Sequence, residues 1–162
     1  MNSLTTAAST RRQLLQDLGA GAIIGLASLV TRPALAALQD PPSITVYKSP
    51  SCGCCGQWTE YLKQNGFRPE IVDMDDISAL KRLAQVPDDL EACHTAVVER
   101  YVVEGHVPVE AIRKMLSERP KIIGIAVPGM PAGAPGMPSQ DPERFDVIAF
   151  ARKGKQRLFM SF

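Results

Sequence analysis

Residues Ser49 to Trp58 read Ser-Pro-Ser-Cys-Gly-Cys-Cys-Gly-Gln-Trp, which places three of the chain's four cysteines at positions 52, 54 and 55. What flanks them limits the architecture. The preceding Ile44–Ser49 is apolar and β-branched, the composition of a buried strand. The following stretch carries Trp58, Tyr61 and Leu62 at a spacing that suits one helix face, and Asn65-Gly66 is a stop signal. The three sulfurs therefore sit where a strand turns into a helix. Any fold proposed for the chain has to build that junction and give the sulfurs a use.

The rest of the chain continues the alternation. Phe67–Met74 reads as a second strand, and Asp75 or Asp76 caps a helix with Ile77, Leu80, Leu83 and Ala84 on one face. Asp73, Asp75 and Asp76 fit that solvated helix start better than a site for a hard cation. A loop after Pro87 ends in Glu-Ala-Cys-His-Thr, and Ala96–Val107 reads as one or two short strands. Pro108 opens a third helix with Val109, Ile112, Met115 and Leu116 inward, ending before Pro120. Lys121–Val127 is a further strand. Pro128–Ser139, rich in Pro and Gly, excludes regular structure, and Phe145–Phe162 reads as a hairpin turning at Lys153-Gly154. Clustered cysteines between a first strand and a first helix are how thioredoxin-like domains begin. The expected class is therefore an α/β thioredoxin-like domain with an added C-terminal β-hairpin.

Residues 1–36 read differently. Arg11-Arg12, an apolar Leu18–Val30 run, Arg32 and Ala34-Leu35-Ala36 make up a basic region, a short apolar region and a small-x-small cleavage site. That is a secretory signal peptide, its apolar run too short and too rich in Gly and Ala to span a bilayer. The paired arginines, followed by Leu14 and Leu15, resemble a twin-arginine export signal. The expected division is a signal peptide over 1–36, a linker over 37–42 and one domain over 43–162, acting in the periplasm. Removing 1–36, with three arginines and one aspartate, takes the formal net charge from +1 to −1. That balance argues against a nucleic-acid or anionic-membrane partner. Export permits disulfides, yet four cysteines are too few for a disulfide scaffold.

Cys54 and Cys55 fall near a helix N-terminus, where unpaired N–H groups and the helix dipole favour thiolate over thiol. Thiolate is both the nucleophile and the metal ligand, so position alone does not choose between redox chemistry and metal binding. Cys52 and Cys55 have the C-x-x-C spacing of an exchanging dithiol, but Cys54 intrudes as a scrambling partner, whereas a polynuclear metal site gains from a bridging thiolate. In a thioredoxin-like domain the loop entering the third strand lies beside the cysteine motif. Thioredoxins have a cis-proline there; this chain has Cys93-His94-Thr95. The sulfurs of Cys52, Cys55 and Cys93 are expected to converge, joined by Cys54 if its side chain turns inward. Met130 and Met137, in the Gly/Pro loop, offer soft thioethers, and His106 offers an imidazole; all are expected to border the same face. Thiolates with thioethers select Cu(I). Whether His94 is a ligand stays open.

Val46–Trp58, Ala92–Pro108 and Gly124–Pro138 together resemble the small periplasmic metal-binding proteins of the CopG copper-resistance type, over about residues 44–162. The resemblance implies a thioredoxin-like domain that binds copper through Cys52, Cys54, Cys55 and Cys93, with His106, Met130 and Met137 matching the remaining soft residues. It further implies a role in copper tolerance and Cu(I)/Cu(II) interconversion, with other periplasmic copper-handling proteins as partners. It supports binding rather than catalysis, and no catalytic residue is assigned. Two other readings compete: a thiol–disulfide oxidoreductase using Cys52 and Cys55, and a zinc-holding module. For zinc, the adjacent Cys54 and Cys55 are awkward ligands to one ion because neighbouring side chains diverge.

Overall fold

A computed structural model of the chain describes residues 40–162, so the expected signal peptide and the first part of the linker lie outside the described residues. Strand β1 (Ser43–Lys48) buries alternate residues, Ile44, Val46 and Lys48, as one face of a pleated strand must. The chain then turns through Ser49–Ser51, with Cys52 N–H donating to the Ser49 carbonyl at 3.0 Å. Helix α1 (Gly53–Gln64) follows, burying Cys55, Trp58, Thr59 and Leu62. It stops at Asn65 and Gly66, the latter at φ +77°. Strand β2 (Arg68–Asp73) returns parallel to β1.

Helix α2 (Ser78–Leu83) is short; Ile77 rather than Asp75 or Asp76 holds its N-cap position, and Asp76, one residue earlier, accepts from Ser78 N–H through Oδ1 at 2.8 Å. Its inward face differs from expectation. Leu83 is 80 % exposed, whereas Lys81 is 4 % exposed. Ile77, Leu80 and Ala84 of the expected apolar face are half-buried, and the buried carboxylate of Glu104 draws Lys81 inward beside them.

Strands β3 (His94–Val98) and β4 (Tyr101–Glu104) form an antiparallel hairpin, resolving the expected one or two strands as two. Helix α3 (Val109–Glu118) buries Val109, Ala111, Ile112 and Met115. It carries the chain to β5 (Gly124–Ala126), parallel to β4 and shorter than the expected strand. Strands β6 (Asp146–Ala151) and β7 (Lys155–Ser161) close the chain as the expected hairpin, turning through Arg152–Gly154.

The result is a mixed α/β arrangement on one seven-stranded sheet of order β2-β1-β3-β4-β5-β6-β7. Its main core joins Ile44, Val46, Ala96 and Val103 of the sheet to Trp58, Leu62, Ile112 and Met115 of the helices. Among the described residues no helix is long and apolar enough to cross a membrane.

The register determines which loops meet. Lys48, the last residue of β1, pairs with His94, the first of β3. The cysteine turn leaving β1 therefore faces Cys93, the residue entering β3. Thr95 pairs with Glu104, the last residue of β4, and Gly105 N–H donates to the His94 carbonyl at 3.1 Å. His106 is thereby delivered to the same end of the sheet. Ala126 of β5 pairs with Glu104, so the Gly/Pro loop also departs from there. Gly105 has no substitute in this packing: at φ +71°, a Cβ would lie 2.7 Å from both Ala92 Cβ and the Val127 carbonyl oxygen.

Candidate metal centre

The four sulfurs of Cys52, Cys54, Cys55 and Cys93 all lie within 4.8 Å of one another. Cys54, whose inward turn the sequence left conditional, does turn inward. Its Sγ is 3.6 Å from Cys52 Sγ and 4.0 Å from Cys93 Sγ. Cys55 is fully buried, 3.8 Å from the Cys93 carbonyl oxygen, and is joined to Cys52 by a disulfide. Cys54 and Cys93 are free thiols, both partly exposed. Cys52 is the N-cap of α1, so Cys54 and Cys55 lie in the first helical turn.

Two imidazoles flank Cys93. His94 Nδ1 is 3.4 Å and His106 Nε2 3.2 Å from Cys93 Sγ, and both rings are fully buried. His106 Nδ1 lies 2.7 Å from the Pro135 carbonyl oxygen. A carbonyl only accepts, so the proton sits on Nδ1 and the Nε2 lone pair faces the sulfur. The two rings meet edge to face at 5.1 Å, and His94 also lies 4.4 Å from the Trp58 ring. Trp58 is itself held by Nε1–H donating to the Val107 carbonyl at 3.0 Å. Nε2 of His94 is the one buried side-chain nitrogen or oxygen among the described residues that lacks a hydrogen-bond partner.

Burial governs the protonation of this end of the sheet. It lowers His94 from 6.5 to about 3, with His106 and Lys81 adding to the effect, and it lowers His106 against the opposing pull of Pro135. Burial, then the neighbouring Cys54, pushes the Cys93 thiol up to about 12. Without a cation, then, the histidines are neutral donors and Cys93 keeps its proton. A soft cation bound here would have to displace that proton to make Cys93 a thiolate.

The Gly/Pro loop roofs the centre through its backbone. Beyond Pro135, a Cβ built on Gly136 (φ +82°) would lie 2.8 Å from Trp58 N and 3.0 Å from the Cys54 carbonyl oxygen. The expectation that this loop borders the cysteine face is thus met at Pro135 and Gly136. Met137 is partly buried, and Met130 is 57 % exposed.

Beneath the site lies a network the sequence reading missed. Lys81 Nζ pairs with Glu104 Oε1 and donates to Thr95 Oγ1 at 3.0 Å. Glu104 also accepts from Thr95 Oγ1 at 2.6 Å and from Ala92 N–H at 2.7 Å. It ties together the residues on either side of Cys93-His94 and the strand leading to His106. Burial pushes its carboxyl up, opposed by Lys81. The available signal was a lone acid in the apolar Val102-Val103-Glu104-Gly105 run; nothing local marks Lys81.

Residues 90–137, which contain Cys93, both histidines and both loop methionines, match the family model "Protein of unknown function, DUF411". No curated protein matches the chain. Two solved structures, Form 2 and Form 1 of "Copper resistance protein copG", match at 39 % identity and a TM-score of 0.71. Each match covers 75 % of this chain and 98 % of the solved one. At that identity over nearly the whole length of those proteins, the chain belongs to the CopG family of copper-resistance proteins.

Proposed function

We propose that this chain is a periplasmic copper-binding protein that holds copper in a cysteine-rich cluster, serves copper tolerance, and interconverts Cu(I) and Cu(II). The observation that carries this reading is the convergence of four sulfurs, from two separate segments, within 4.8 Å. Thiolates that close can bridge several Cu(I) ions, and soft ligands select Cu(I) over hard cations. The ligands are Cys52, Cys54, Cys55 and Cys93, with His106, Met130 and Met137 as the further soft donors. Cys52 and Cys55 join this set once their disulfide is reduced. The sheet order β2-β1-β3-β4, with α1 following β1 and α3 following β4, supports a thioredoxin-like core extended by β5 and the terminal hairpin. Residues 1–36 are the signal peptide, of twin-arginine type, and 37–42 the linker. The copper is exchanged with other periplasmic copper-handling proteins.

Anaerobic titration of the reduced chain with Cu(I) and with Zn(II) tests the proposal. It requires more than one Cu(I) per chain with thiolate-to-copper charge-transfer absorption; one zinc and no copper cluster would remove it. Cys93→Ser should lower the Cu(I) stoichiometry and leave the far-UV circular dichroism unchanged, since serine fills similar volume but is a poor soft ligand.

The Cys52–Cys55 disulfide favours a second reading, a thiol–disulfide oxidoreductase. Turnover of a disulfide substrate by the metal-free reduced chain, lost in Cys52→Ser, would support it. Against it stands Cys54, whose sulfur lies 3.6 Å from Cys52 Sγ and competes for any mixed disulfide.

A further inference from the structure

We propose that the outer edge of β7 and the basic cleft beside it form a docking site for an extended, acidic segment of a partner protein, at the end of the sheet opposite the cysteines. The inference goes beyond the copper reading and does not depend on it.

The placement follows from the strand register. Glu104, the last residue of β4, meets Ala126, the last of β5, at the cysteine end. Gly124, the first residue of β5, pairs with Phe150 near the end of β6. Lys121, which leads into β5, and the β6–β7 turn Arg152–Gly154 therefore lie at the end away from the sulfurs. A partner held there leaves Cys54 and Cys93 uncovered.

A cleft opens at that end because short side chains stand beside long ones. Ala149 pairs with Arg157 and Ala151 with Lys155, so each alanine shares a face of the sheet with a cation. Two adjoining cavities, of about 310 and 420 Å³, share Lys121, Ile122, Ala151 and Lys155 as walls. Arg157 completes one, and Arg152 and Lys153 complete the other.

Charge selects the occupant. Lys121, Arg152, Lys153, Lys155 and Arg157 are all exposed, and no carboxylate lines either cavity. Among the described residues none of the five enters an ion pair. Residues 37–162 hold 15 cations and 16 anions, so with these five set aside the remainder carries −6. Asp89 reaches β7 only through Gln156, on the opposite face of the strand from Lys155 and Arg157. Lys153 even occupies a left-handed position, φ +63°, where glycine or asparagine is the ordinary occupant.

The edge gives the occupant its shape. β7 is the outermost strand, and among the described residues its outer backbone groups pair with no other element. An extended segment can add to such an edge, its main chain supplying affinity and its side chains specificity. Lys155 to Leu158 pair regularly with β6 before the register shift beside Val147 and Ile148. Every second side chain of an added segment would therefore stand on the face of Lys155 and Arg157, while Leu158, 55 % exposed, offers an apolar contact on the other. Carboxylates at those positions meet cations, whereas a second copy of β7 would set cation against cation. Five cations spread over two joined cavities match a row of carboxylates better than one small anion.

The test is fluorescence anisotropy of a labelled peptide of alternating glutamate and threonine, titrated with the full chain. The peptide should bind, and added salt should weaken it. R152Q/K155Q/R157Q should weaken binding about tenfold, because three exposed ion pairs are lost and each contributes modestly. The charge-matched variant K63Q/R68Q/R82Q, altered on other surfaces, should bind like the parent. Amide NMR of the unsubstituted chain should show the peptide shifting Lys121–Ile123 and Arg152–Leu158 while Cys52–Cys55 and Cys93 stay unmoved. Absence of binding, equal weakening in the two triple variants, or shifts confined to other surfaces would overturn the proposal. Retention of the chain on phosphatidylglycerol vesicles through these cations, tighter binding of inorganic phosphate than of the peptide, or dimerisation through β7 would assign the cleft to another occupant and overturn it equally.

Discussion

His94 shows how one buried side chain sets the acid limit of the metal-free fold. Its folded-state value of about 3 lies well below the ordinary 6.5, so below pH 6.5 the unfolded chain takes up a proton that the folded chain refuses. Stability contributed by the neutral ring is present above pH 6.5 and is lost progressively as pH falls toward 3. The loss amounts to something on the order of 4 kcal/mol. Urea midpoints of the metal-free chain should therefore fall over that window, and His94→Gln should flatten the fall; an equally steep fall in the variant would refute the assignment. Lys81 and Glu104 present the opposite case, an ion pair at 4 % and 0 % exposure. Lys81→Met should cost about 3–5 kcal/mol by leaving Glu104 uncompensated, whereas K81M/E104L should recover most of that loss. A double-mutant cycle by urea denaturation reads both, and equal losses in the single and double variants would count against the pair.

Among the elements, the strand ends and the roofing loop do most to build the site. The cysteine turn, the entry to β3 and the exit from β4 meet because Lys48 pairs with His94 and Thr95 with Glu104. The roof depends on Gly136. Gly136→Ala combines a strained φ of +82° with a contact at 2.8 Å to Trp58 N, so the loop must lift and withdraw the Pro135 carbonyl from His106. The expected outcome is a loss of about 1–3 kcal/mol in stability and faster alkylation of Cys54 and Cys93. Alkylation followed by mass spectrometry measures it, and rates matching the parent chain would show that the loop does not guard the sulfurs. Legibility in the sequence tracks these elements. Strand β1, helix α1 and the terminal hairpin announced themselves through local patterns, and Cys93 could be drawn to the cluster by supposing one fold. Helix α2 was legible only in part: Leu83 fits the apolar stripe yet is exposed, and the cause of Lys81's burial lies 23 residues away in sequence at Glu104. Similarly, His94 is an ordinary strand residue in sequence, and only the packing of Trp58 and His106 around it reveals its burial.

For the molecule as a whole, the separation of the donors along the chain matters as much as their convergence. Cys54 and Cys93 are 39 residues apart, so an ion bridging them is gripped by the folded chain and hardly at all by the unfolded one. Any such ion at a hundred times its dissociation constant adds about 2.7 kcal/mol of stability. The consequence is one of lifetime. Trypsin should cut the emptied chain markedly faster than the loaded one, with the difference vanishing in Cys93→Ser; identical digestion rates with and without metal would show that the ion does not bind across the fold. Where proteases clear opened chains, the standing amount of a chain that carries the proposed ion would follow the supply of that ion, with no separate sensor needed to couple the two.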